Sequence, residues 1–400
     1  MSGWKKAKLG DCCVENGIQT GPFGSQLHQS DYSEAGTPVI MPKDIRDGRV
    51  VEDGIARVGE VHVKRLSRHR VAKNNIVYPR RGDVGKAAFI TGKEVGWLCG
   101  TGCLKVDLNE DVVDPVFIRY FLALNDSVSW LEKHAVGSTM LNINAGILAE
   151  LPIALPPLPT QRRIAAMLSD YDSAIDNARR QIALLEEAAM RLYREWFVVN
   201  ADPKWGKVML DSVINFQEGP GIRNWQYVKG EGTRFINIRC INDGDLILSG
   251  ANKISNAEAT GKYSHFMLRP YDIVLSCSGT LGRSAIVREE HLPLCLNTSV
   301  IRFSPKISRF DYAFVWAYLR SDAFLNAQRA MANGSAQVNF GPTHLKRMTL
   351  VWPSESRRVD FNVKCFPMIE SMVKLRASIS RLTEARDRLL PKLMSGEIEV

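Results

Sequence analysis

The stretch Ile76-Val-Tyr-Pro-Arg-Arg-Gly-Asp-Val-Gly-Lys-Ala-Ala88 returns later in the same chain as Ile273-Val-Leu-Ser-Cys-Ser-Gly-Thr-Leu-Gly-Arg-Ser-Ala285. The offset is 197 positions, as the pair Gly82 and Gly279 shows. The same offset relates further pairs: Asp114 with Asp311, Leu122 with Leu319, Gly137 with Gly334, Ser138 with Ser335, Asn142 with Asn339, Leu148 with Leu345 and Pro156 with Pro353. A gap-free repeat of this length predicts a tandem duplication of whole domains, because each copy is long enough to bury its own core.

Composition limits the class of protein. With 400 residues, of which 45% are hydrophobic, the chain can fill two or more globular cores. Lys and Arg number 52 against 43 Asp and Glu, and this net charge of +9 favours polyanionic partners. The alternative is that the charge only keeps the protein in solution. The 8 cysteines lack the spacing of a metal site, so we expect reduced thiols and no bound metal.

No membrane or export signal stands out in the sequence. The first ten residues contain lysines without a following apolar run, and no segment offers about 18 unbroken apolar residues. We therefore expect a cytoplasmic protein that does not span a membrane.

Each copy begins with β-prone sequence and continues with helical sequence. Short runs bounded by Gly, Pro, Asp and Asn predict strands at 37–41, 75–78 and 103–107 in the first copy, and at 233–241, 271–276 and 298–303 in the second. Apolar residues at helical spacing then follow Asp114 and Asp311, which are predicted N-caps. Each globular unit is therefore predicted to be mixed α/β.

A long heptad pattern follows each globular unit. In the first copy its positions are Ile164, Leu168, Tyr171, Ile175, Ala178, Ile182, Leu185, Ala189, Leu192 and Trp196. In the second copy they are Phe361, Cys365, Met368, Met372, Leu375, Ile379, Leu382, Arg386, Leu389 and Leu393, with Arg386 as a charged intruder. Two such helices of equal length favour pairing with each other. Pro367 and Pro391 are expected to kink or bound the second helix.

The predicted fold class is α+β, with two similar α/β domains in tandem, each followed by a long α-helix, and the two helices pairing as an antiparallel coiled coil. The predicted boundaries are 1–150 for the first domain, 151–206 for the first spacer helix and linker, 207–350 for the second domain, and 351–400 for the second spacer helix and C-terminal segment. An antiparallel pairing would hold two similar heads at a fixed spacing, which suits the reading of a split, asymmetric DNA sequence.

Several segments resemble the specificity (S) subunits of type I restriction-modification systems, and the resemblance covers the whole chain. The most specific segments are Leu155-Pro-Pro-Leu-Pro-Thr-Gln-Arg-Arg-Ile164, Leu192-Tyr-Arg-Glu-Trp-Phe197, Arg381-Leu-Thr-Glu and Leu389-Leu-Pro-Lys-Leu-Met-Ser-Gly-Glu-Ile398. Gly137-Ser-Thr-Met-Leu-Asn142 and Gly334-Ser-Ala-Gln-Val-Asn339 resemble the closing stretch of the family's target-recognition domains. The second copy departs from the pattern where Ser354-Glu-Ser-Arg-Arg358 replaces the usual Pro-x-x-x-Gln.

The resemblance implies a subunit without catalysis of its own. Its two target-recognition domains would each read half of a bipartite DNA site, and its helices would dock two methyltransferase (M) subunits. Restriction and translocase (R) subunits would join through that complex. S-adenosylmethionine, ATP and Mg²⁺ are expected on those partner subunits and no cofactor on this chain. The helix residues assigned to partner binding are Ile182, Leu185, Leu192, Trp196, Phe197, Ile379, Leu382 and Leu389; Trp196 and Phe197 could equally pack within this chain.

Candidate DNA contacts come from basic and amide side chains in turns. They are Lys43, Arg46, Arg80, Arg81, Lys86, Asn142, Asn144, Arg223, Arg239, Arg283 and Asn339. Arginine and lysine can bind phosphates or guanine edges, and asparagine can bind adenine edges. The alternative for the 80–86 and 283 turns is a solvated hairpin tip, and for the asparagines it is a cap on their own backbone.

Two other classes of function remain at this stage. A bivalent protein-interaction scaffold with two α/β heads on a coiled coil would share the architecture and bind DNA without a steep dependence on salt. An enzyme is disfavoured, because the sequence offers no catalytic acid, base or metal set, and Gly82-Asp-Val-Gly85-Lys86 lacks the length and the Ser or Thr of a phosphate-binding P-loop.

Overall fold

The computed structural model describes residues 4–137, 141–242, 244–332 and 340–400. The chain divides into two compact units: unit 1 comprises Met1–Ser173 together with Thr383–Val400, and unit 2 comprises Ala174–Leu382. The four predicted domain boundaries remain a prediction. No helix of the described residues combines the length and apolar character that crossing a membrane requires.

Unit 1 is built on mixed α/β structure. Its strands are β1 (Lys5–Lys8), β2 (Cys13–Thr20), β3 (Tyr32–Ser33), β4 (Thr37–Ile40), β5 (Ile45–Arg46), β6 (Arg49–Val50), β7 (Ala56–Val58), β8 (Ile76–Pro79), β9 (Ala88–Phe89), β10 (Leu98–Cys99), β11 (Cys103–Leu108) and β12 (Pro152–Leu155). Its short helices are α1 (Glu60–Arg65), α2 (Pro115–Leu122), α3 (Asn125–His134) and α4 (Ala145–Ala149). The first long helix is α5 (Leu158–Arg194), which begins in this unit.

The central sheet of unit 1 has the strand order β2-β11-β8-β9, and a second sheet has the order β10-β4-β7-β3. The two sheets meet in one apolar cluster, to which β8 contributes Val77 and the second sheet contributes Ile40 and Cys99. On the opposite face of β8, Ile76 and Tyr78 pack in another cluster. Successive side chains of a strand point to opposite faces of its sheet. A strand that packs against apolar clusters on both faces therefore has an unbroken run of apolar residues in its sequence.

Unit 2 repeats this arrangement. Its strands are β13 (Lys207–Met209), β14 (Ile214–Glu218), β15 (Thr233–Phe235), β16 (Ile241–Asn242), β17 (Asp245–Leu246), β18 (Lys253–Ile254), β19 (Ile273–Ser276), β20 (Ser284–Ile286), β21 (Leu294–Cys295), β22 (Val300–Pro305) and β23 (Thr349–Val351). Its helices are α6 (Leu210–Val213), α7 (Asn256–Thr260), α8 (Tyr312–Arg320), α9 (Asp322–Ala332), α10 (Pro342–Leu345) and most of α11 (Glu355–Ser395). The central sheet order is β14-β22-β19-β20, the counterpart of β2-β11-β8-β9.

One buried cation shows how closely the two copies correspond. In unit 1 the Lys105 ammonium donates to the carbonyl oxygens of Arg68 and Arg70, at 3.0 and 3.3 Å. In unit 2, 197 positions later, Arg302 donates to the carbonyl oxygens of His265 and Met267. Both cations tie a preceding loop to the central sheet, so neither is available to a ligand. The predicted internal repeat is confirmed.

The long helices α5 and α11 are antiparallel. In unit 2 the rings of Tyr193 and Phe361 are 6.2 Å apart, and the Arg357 guanidinium lies 3.8 Å from the centre of the Trp196 ring. Moving forward along α5 therefore means moving backward along α11. Helix α5 continues into a π-helical turn at Glu195–Val199.

Arg386, the charged intruder in the heptad pattern, has a partner inside unit 1. Its guanidinium lies 2.6 Å from the Asp172 carboxylate, which also accepts hydrogen bonds from Arg119 and Tyr120. Burial disfavours the ionised carboxylate, but the Tyr120 hydrogen bond and the two guanidinium groups outweigh it and lower the pKa of Asp172. The intruder therefore belongs to a charge network that joins α2, α5 and α11.

The expectation that Pro367 and Pro391 bound the second helix is wrong, because α11 runs without a break from Glu355 to Ser395. Proline removes one backbone donor and leaves the carbonyl four residues earlier without its helical partner. For Pro367 that carbonyl belongs to Val363, and both residues are exposed, so water can bond the freed oxygen.

A matching contact fixes the start of each long helix. Gln161 accepts from the backbone N–H of Asp114 at 2.9 Å and donates to the carbonyl oxygen of Pro156. Its counterpart Arg358 donates to the Asp311 carboxylate at 2.7 Å and to the carbonyl oxygen of Pro353. The second copy departs from the family pattern here, since Arg358 stands where the first copy has Gln161. Arg358 nevertheless makes the equivalent contacts, so the start of the helix is fixed in both copies.

The two predicted N-caps differ as a result. The Asp114 carboxylate accepts from the backbone N–H of Phe117 and caps α2, as predicted. Asp311 precedes α8 but makes no side-chain cap, because its carboxylate is turned to Arg358.

Candidate nucleic-acid interface

A cleft of about 360 Å³ opens on unit 1 where strand β2 ends. It is lined by Thr20, Gly21, Pro22, Phe23, Gly24, Pro42, Arg80, Arg81, Thr101 and Gly102. The cleft therefore brings together the loop after β2, the turn after β8 and the turn before β11. Two of the predicted DNA-contacting residues, Arg80 and Arg81, lie on its wall.

Close backbone packing shapes the loop after the first core strand in both units. A Cβ on Gly21 would lie 2.1 Å from the carbonyl oxygen of Gly100, and a Cβ on Gly219 would lie 2.4 Å from the backbone nitrogen of Asn297. Gly100 and Asn297 are themselves 197 positions apart. Only glycine fits such an approach, so both loops leave their sheets in the same way.

Arg80 is held in place by its neighbours. Its backbone N–H donates to Gly102 and its carbonyl accepts from Ile143, while its guanidinium donates to the Asn142 side-chain oxygen at 3.2 Å. Asn142 thus orients Arg80. Arg81 beside it is exposed, and its backbone bridges to Asn142. The predicted pair of arginines therefore has one constrained and one exposed member.

Lys86 and Asn144 already have partners within unit 1. The Lys86 ammonium lies 2.8 Å from the Asp83 carboxylate, and the hydrogen bond and charge of Asp83 raise the pKa of Lys86. The Asn144 side chain accepts from the backbone N–H of Ile147 at 2.8 Å and caps α4. For Asn144 the geometry matches the backbone-cap alternative.

Lys43 and Arg46 are exposed on the segment that follows β4. The Lys43 ammonium donates to the carbonyl oxygen of Gly54 at 3.2 Å. Arg46 ends β5 immediately before a turn in which Asp47 and Gly48 both have positive φ. That turn presents Arg46 at the tip of the β5–β6 hairpin.

In unit 2 the predicted arginines 223, 239 and 283 are all exposed, and their backbones are fixed by nearby polar side chains. The Arg223 N–H donates to Gln226, the Arg239 N–H to Asn237, and the Arg283 N–H to Ser276, at 2.9 to 3.1 Å. The guanidinium groups are therefore carried by ordered turns. Asn339 lies outside the described residues.

The sequence interpretation missed two exposed aromatic residues in the loops after β2 and β14. Phe23 is 55% exposed and Trp225 is 81% exposed. Each follows a Gly-Pro pair, Gly21-Pro22 and Gly219-Pro220, within a few residues. That shared pair was the available signal, but it marks the loop without indicating which side chain is exposed.

Most of the helix residues predicted to bind a partner pack within this chain. Ile182 and Phe197 are buried, with 6% and 8% of their surface exposed, in the main core of unit 2. The half-buried Leu185, Leu192, Trp196 and Ile379 pack against that core, and Leu389 packs against the core of unit 1. Leu382 is half-buried. A role for these residues in partner binding remains a prediction.

The sequence matches the type I restriction modification DNA specificity domain twice, at residues 1–187 and 203–357. Because the two matches cover most of the chain, the protein belongs to this family of DNA specificity domains and is a type I restriction-modification specificity subunit. The resemblance drawn from the helical motifs is confirmed.

Named relatives extend over nearly the whole chain. The specificity subunit of the type I restriction enzyme MjaVIII from Methanocaldococcus jannaschii is 22% identical over 397 residues, covering 92% of this chain and 91% of the relative. The EcoBI specificity subunit from Escherichia coli is 23% identical, covering 95% of this chain and 84% of the relative.

A solved structure shows the same fold. The S subunit of the type I restriction-modification system from M. genitalium superposes with a TM-score of 0.59 at 17% sequence identity, covering 98% of this chain and 96% of that chain. Two similar α/β domains, each followed by a long helix, are therefore a fold shared with a known S subunit.

Proposed function

We propose that this chain reads a bipartite, asymmetric DNA target, with unit 1 recognising one half-site and unit 2 the other. The observation that carries the proposal is the repeat itself. Two units with the same central sheet present equivalent loops after β2 and β14, and exposed arginines accompany both loops. Two domains with the same scaffold can dock on DNA in the same way, while their different loops read the bases of two different half-sites.

The rest of the system would come from partner subunits. We propose that this chain catalyses no reaction and docks two M subunits, with R subunits joining the same complex. S-adenosylmethionine, ATP and Mg²⁺ would bind to those subunits. The near-two-fold repeat within the chain suits two copies of one partner, since each copy of the repeat can offer an equivalent surface.

The deciding experiment is a genome-wide map of N6-methyladenine in the native host, with the gene intact, deleted and restored. The proposal predicts that deletion removes methylation at one split, asymmetric motif and that restoration returns it. A map that stays unchanged, in cells shown to express the protein, would contradict the proposal and favour the protein-interaction scaffold.

A salt titration of the purified complex separates the same two functions. Logarithmic affinity for a duplex carrying the motif should fall steeply with logarithmic salt, because each contacted phosphate contributes a slope of about −0.9. Replacing Arg81 with alanine should reduce the slope by about one unit if Arg81 contacts a phosphate. The matched control is Lys73→Ala, which removes an exposed cation of unit 1 that does not line the cleft.

A further inference from the structure

Trp225 is exposed although the turn that carries it is firmly anchored. It lies in the 3₁₀ turn Asn224–Gln226, and the residue is 81% exposed. The side-chain oxygen of Gln226 accepts from the N–H of Arg223 at 3.0 Å. The Gln226 amide nitrogen donates to Glu258 and to the Tyr263 hydroxyl, at 2.8 and 2.9 Å. A buried glutamine with three partners fixes the turn and leaves the indole in solvent.

The far side of the same loop is fixed by strand β18. The N–H of Val228 donates to the carbonyl oxygen of Lys253 at 3.0 Å, and the Lys253 ammonium donates to the carbonyl oxygen of Gly230 at 2.6 Å. The loop is therefore ordered on both sides of Trp225. An indole held out on an ordered loop loses little conformational freedom when it binds a ligand, which favours tight binding.

The charge around Trp225 suits a polyanion. From Gly219 to Gly230 the loop contains Arg223 and Lys229, one on each side of Trp225, and Glu218 and Glu231 flank it at its two ends. Next to it, Arg234 and Lys253 are directly opposite each other on β15 and β18. Like charges at opposite positions of a strand pair are destabilising, and a bound chain of phosphates would relieve that repulsion.

Unit 1 contains a similar turn with an exposed aromatic residue. The N–H of Phe23 donates to the Gln26 side-chain oxygen at 3.2 Å, just as the N–H of Arg223 donates to Gln226. Phe23 is 55% exposed and lines the cleft that contains Arg80 and Arg81. In both units, therefore, a Gly-Pro pair leads into a turn closed by a glutamine, and that turn exposes one aromatic ring.

We propose that Trp225 and Phe23 are wedge residues, each pressing its ring into a base step of the half-site that its own unit reads. The inference rests on the proposed function and adds to it how the DNA is contacted. Apolar rings that enter a base step partly unstack it, and they discriminate between sequences through the ease of opening that step. The exposed arginines nearby would hold the flanking phosphates.

The test uses the complete complex with its methylation subunits and duplexes that carry the methylated motif. 2-Aminopurine, whose fluorescence rises on unstacking, replaces the base at each step in turn. The wild-type complex should raise the signal at one step in each half-site. Trp225→Ala should abolish the rise in one half-site only and lower affinity about tenfold or more. Phe23→Ala should do the same in the other half-site, and Trp225→Phe should keep most of the signal.

The matched control is Phe310→Ala, which removes an exposed aromatic ring of unit 2 that lies beside Arg309 rather than on the loop. It should leave affinity and fluorescence unchanged. If Trp225→Ala also keeps both while the wild type binds its motif specifically, the wedge is disproved and the proposed function stands. If the variant instead fails to assemble with the M subunits, Trp225 is a protein contact and the wedge is likewise disproved. If the wild type shows no motif preference, the proposed function fails too.

Discussion

One buried histidine, His69, should make the stability of unit 1 sensitive to acid. His69 is buried, and its ring nitrogen Nε2 accepts from the Arg68 guanidinium at 3.0 Å, which requires the neutral ring. Burial, with the charges of Arg68 and Lys105, lowers the pKa of His69 to about 4. Well above pH 6.5 the residue is neutral in both states. As the pH falls from about 6.5 to about 4, only the unfolded chain gains the proton, so stability should decrease by up to about 3 kcal/mol.

Urea unfolding followed between pH 7.5 and 4.5 measures this effect. His69→Gln should flatten the pH dependence in that window, whatever it does to stability at neutral pH. The exposed His28→Gln is the control and should leave the dependence as it is. A wild-type stability that is constant down to pH 4.5 would contradict the assignment of a neutral His69.

Asn142 and Asn144 should respond differently to the same substitution. Asn142→Ala frees the Arg80 guanidinium that it orients, and we expect about a fivefold loss of affinity for the target duplex, equivalent to about 1 kcal/mol. Asn144→Ala removes a helix cap and should cost about 1 kcal/mol of stability with affinity within about twofold of wild type.

Equilibrium DNA binding and thermal unfolding of the two variants provide the measurement, and each variant is the control for the other. A larger loss of affinity in Asn144→Ala than in Asn142→Ala would mean that Asn144 reads a base after all.

Residue type and turn position were enough to find the candidate basic residues. They did not show which of those residues already have a hydrogen-bond or ion-pair partner within the protein. The ion pair of Lys86 with Asp83 is local in sequence and could have been anticipated. The contacts of Lys105 with the loop at 68–70 join distant segments, and only the fold brings them together. The exposure of Phe23 and Trp225 has the same origin, because only the fold determines which side chains of a loop pack inward.

Among the elements, the start of α11 depends on one buried ion pair. Arg358 and Asp311 are 5% and 1% exposed, so removing the guanidinium leaves a buried carboxylate without its counter-charge. Arg358→Ala should therefore cost about 3 to 5 kcal/mol in unit 2. Arg358→Gln should cost less, since glutamine can still donate to Asp311 and to the carbonyl oxygen of Pro353, as Gln161 does to Pro156.

Denaturant unfolding monitored by probes placed in unit 2 compares the two variants. Gln161→Ala in unit 1 is the matched control, and it should cost only about 1 to 3 kcal/mol because it leaves no unpaired charge. Equal losses for Arg358→Ala and Arg358→Gln would refute the expectation that hydrogen bonds from a glutamine recover part of the lost stability.

Periodicity predicted the helices well, because a heptad pattern reports directly on the buried face. The expectation that Pro367 and Pro391 bound the helix was wrong, and at Pro367 the sequence did not show that Val363, which carries the freed carbonyl, is exposed. Periodicity marked Arg386 as a charged residue within the pattern but could not identify its partner Asp172, which is 214 residues away in the chain. Both the exposure of Val363 and the partner of Arg386 depend on the fold and not on the local sequence.

At the scale of the whole molecule, unit 1 depends on a distant part of the chain. Leu393 and Met394 are 0% and 3% exposed and belong to the core that also contains Ile164 and Leu168. Removing residues 383–400 should therefore unfold or loosen unit 1, although it shortens only one helix. Unit 2, which is continuous from Ala174 to Leu382, should be less affected.

Limited proteolysis with mass spectrometry distinguishes the two units in the truncated chain. Cleavage should concentrate within residues 4–173, whereas fragments of unit 2 should persist. The double variant Leu393→Ala and Met394→Ala is a milder form of the same test, and each lost side chain should cost about 2 to 5 kcal/mol. A truncated chain whose unit 1 still resists the protease would contradict the prediction.

The duplication was visible in the sequence because its register is constant, and it correctly predicted two similar α/β domains, whose central sheets have equivalent strand orders. The sequence did not reveal that each unit takes a part of both long helices, since a repeat shows which segments are alike and not which segments pack together.

The discontinuity of unit 1 also has a consequence for biosynthesis. A ribosome makes the part of unit 1 that ends at Ser173 first, yet the segment that completes its core is translated only after all of unit 2. Unit 2 can fold as soon as it leaves the exit tunnel, whereas the earlier-made unit waits with part of its apolar surface uncovered. During translation this nascent unit should be the main client of chaperones, and a premature stop codon late in the gene should damage the domain that was synthesised first.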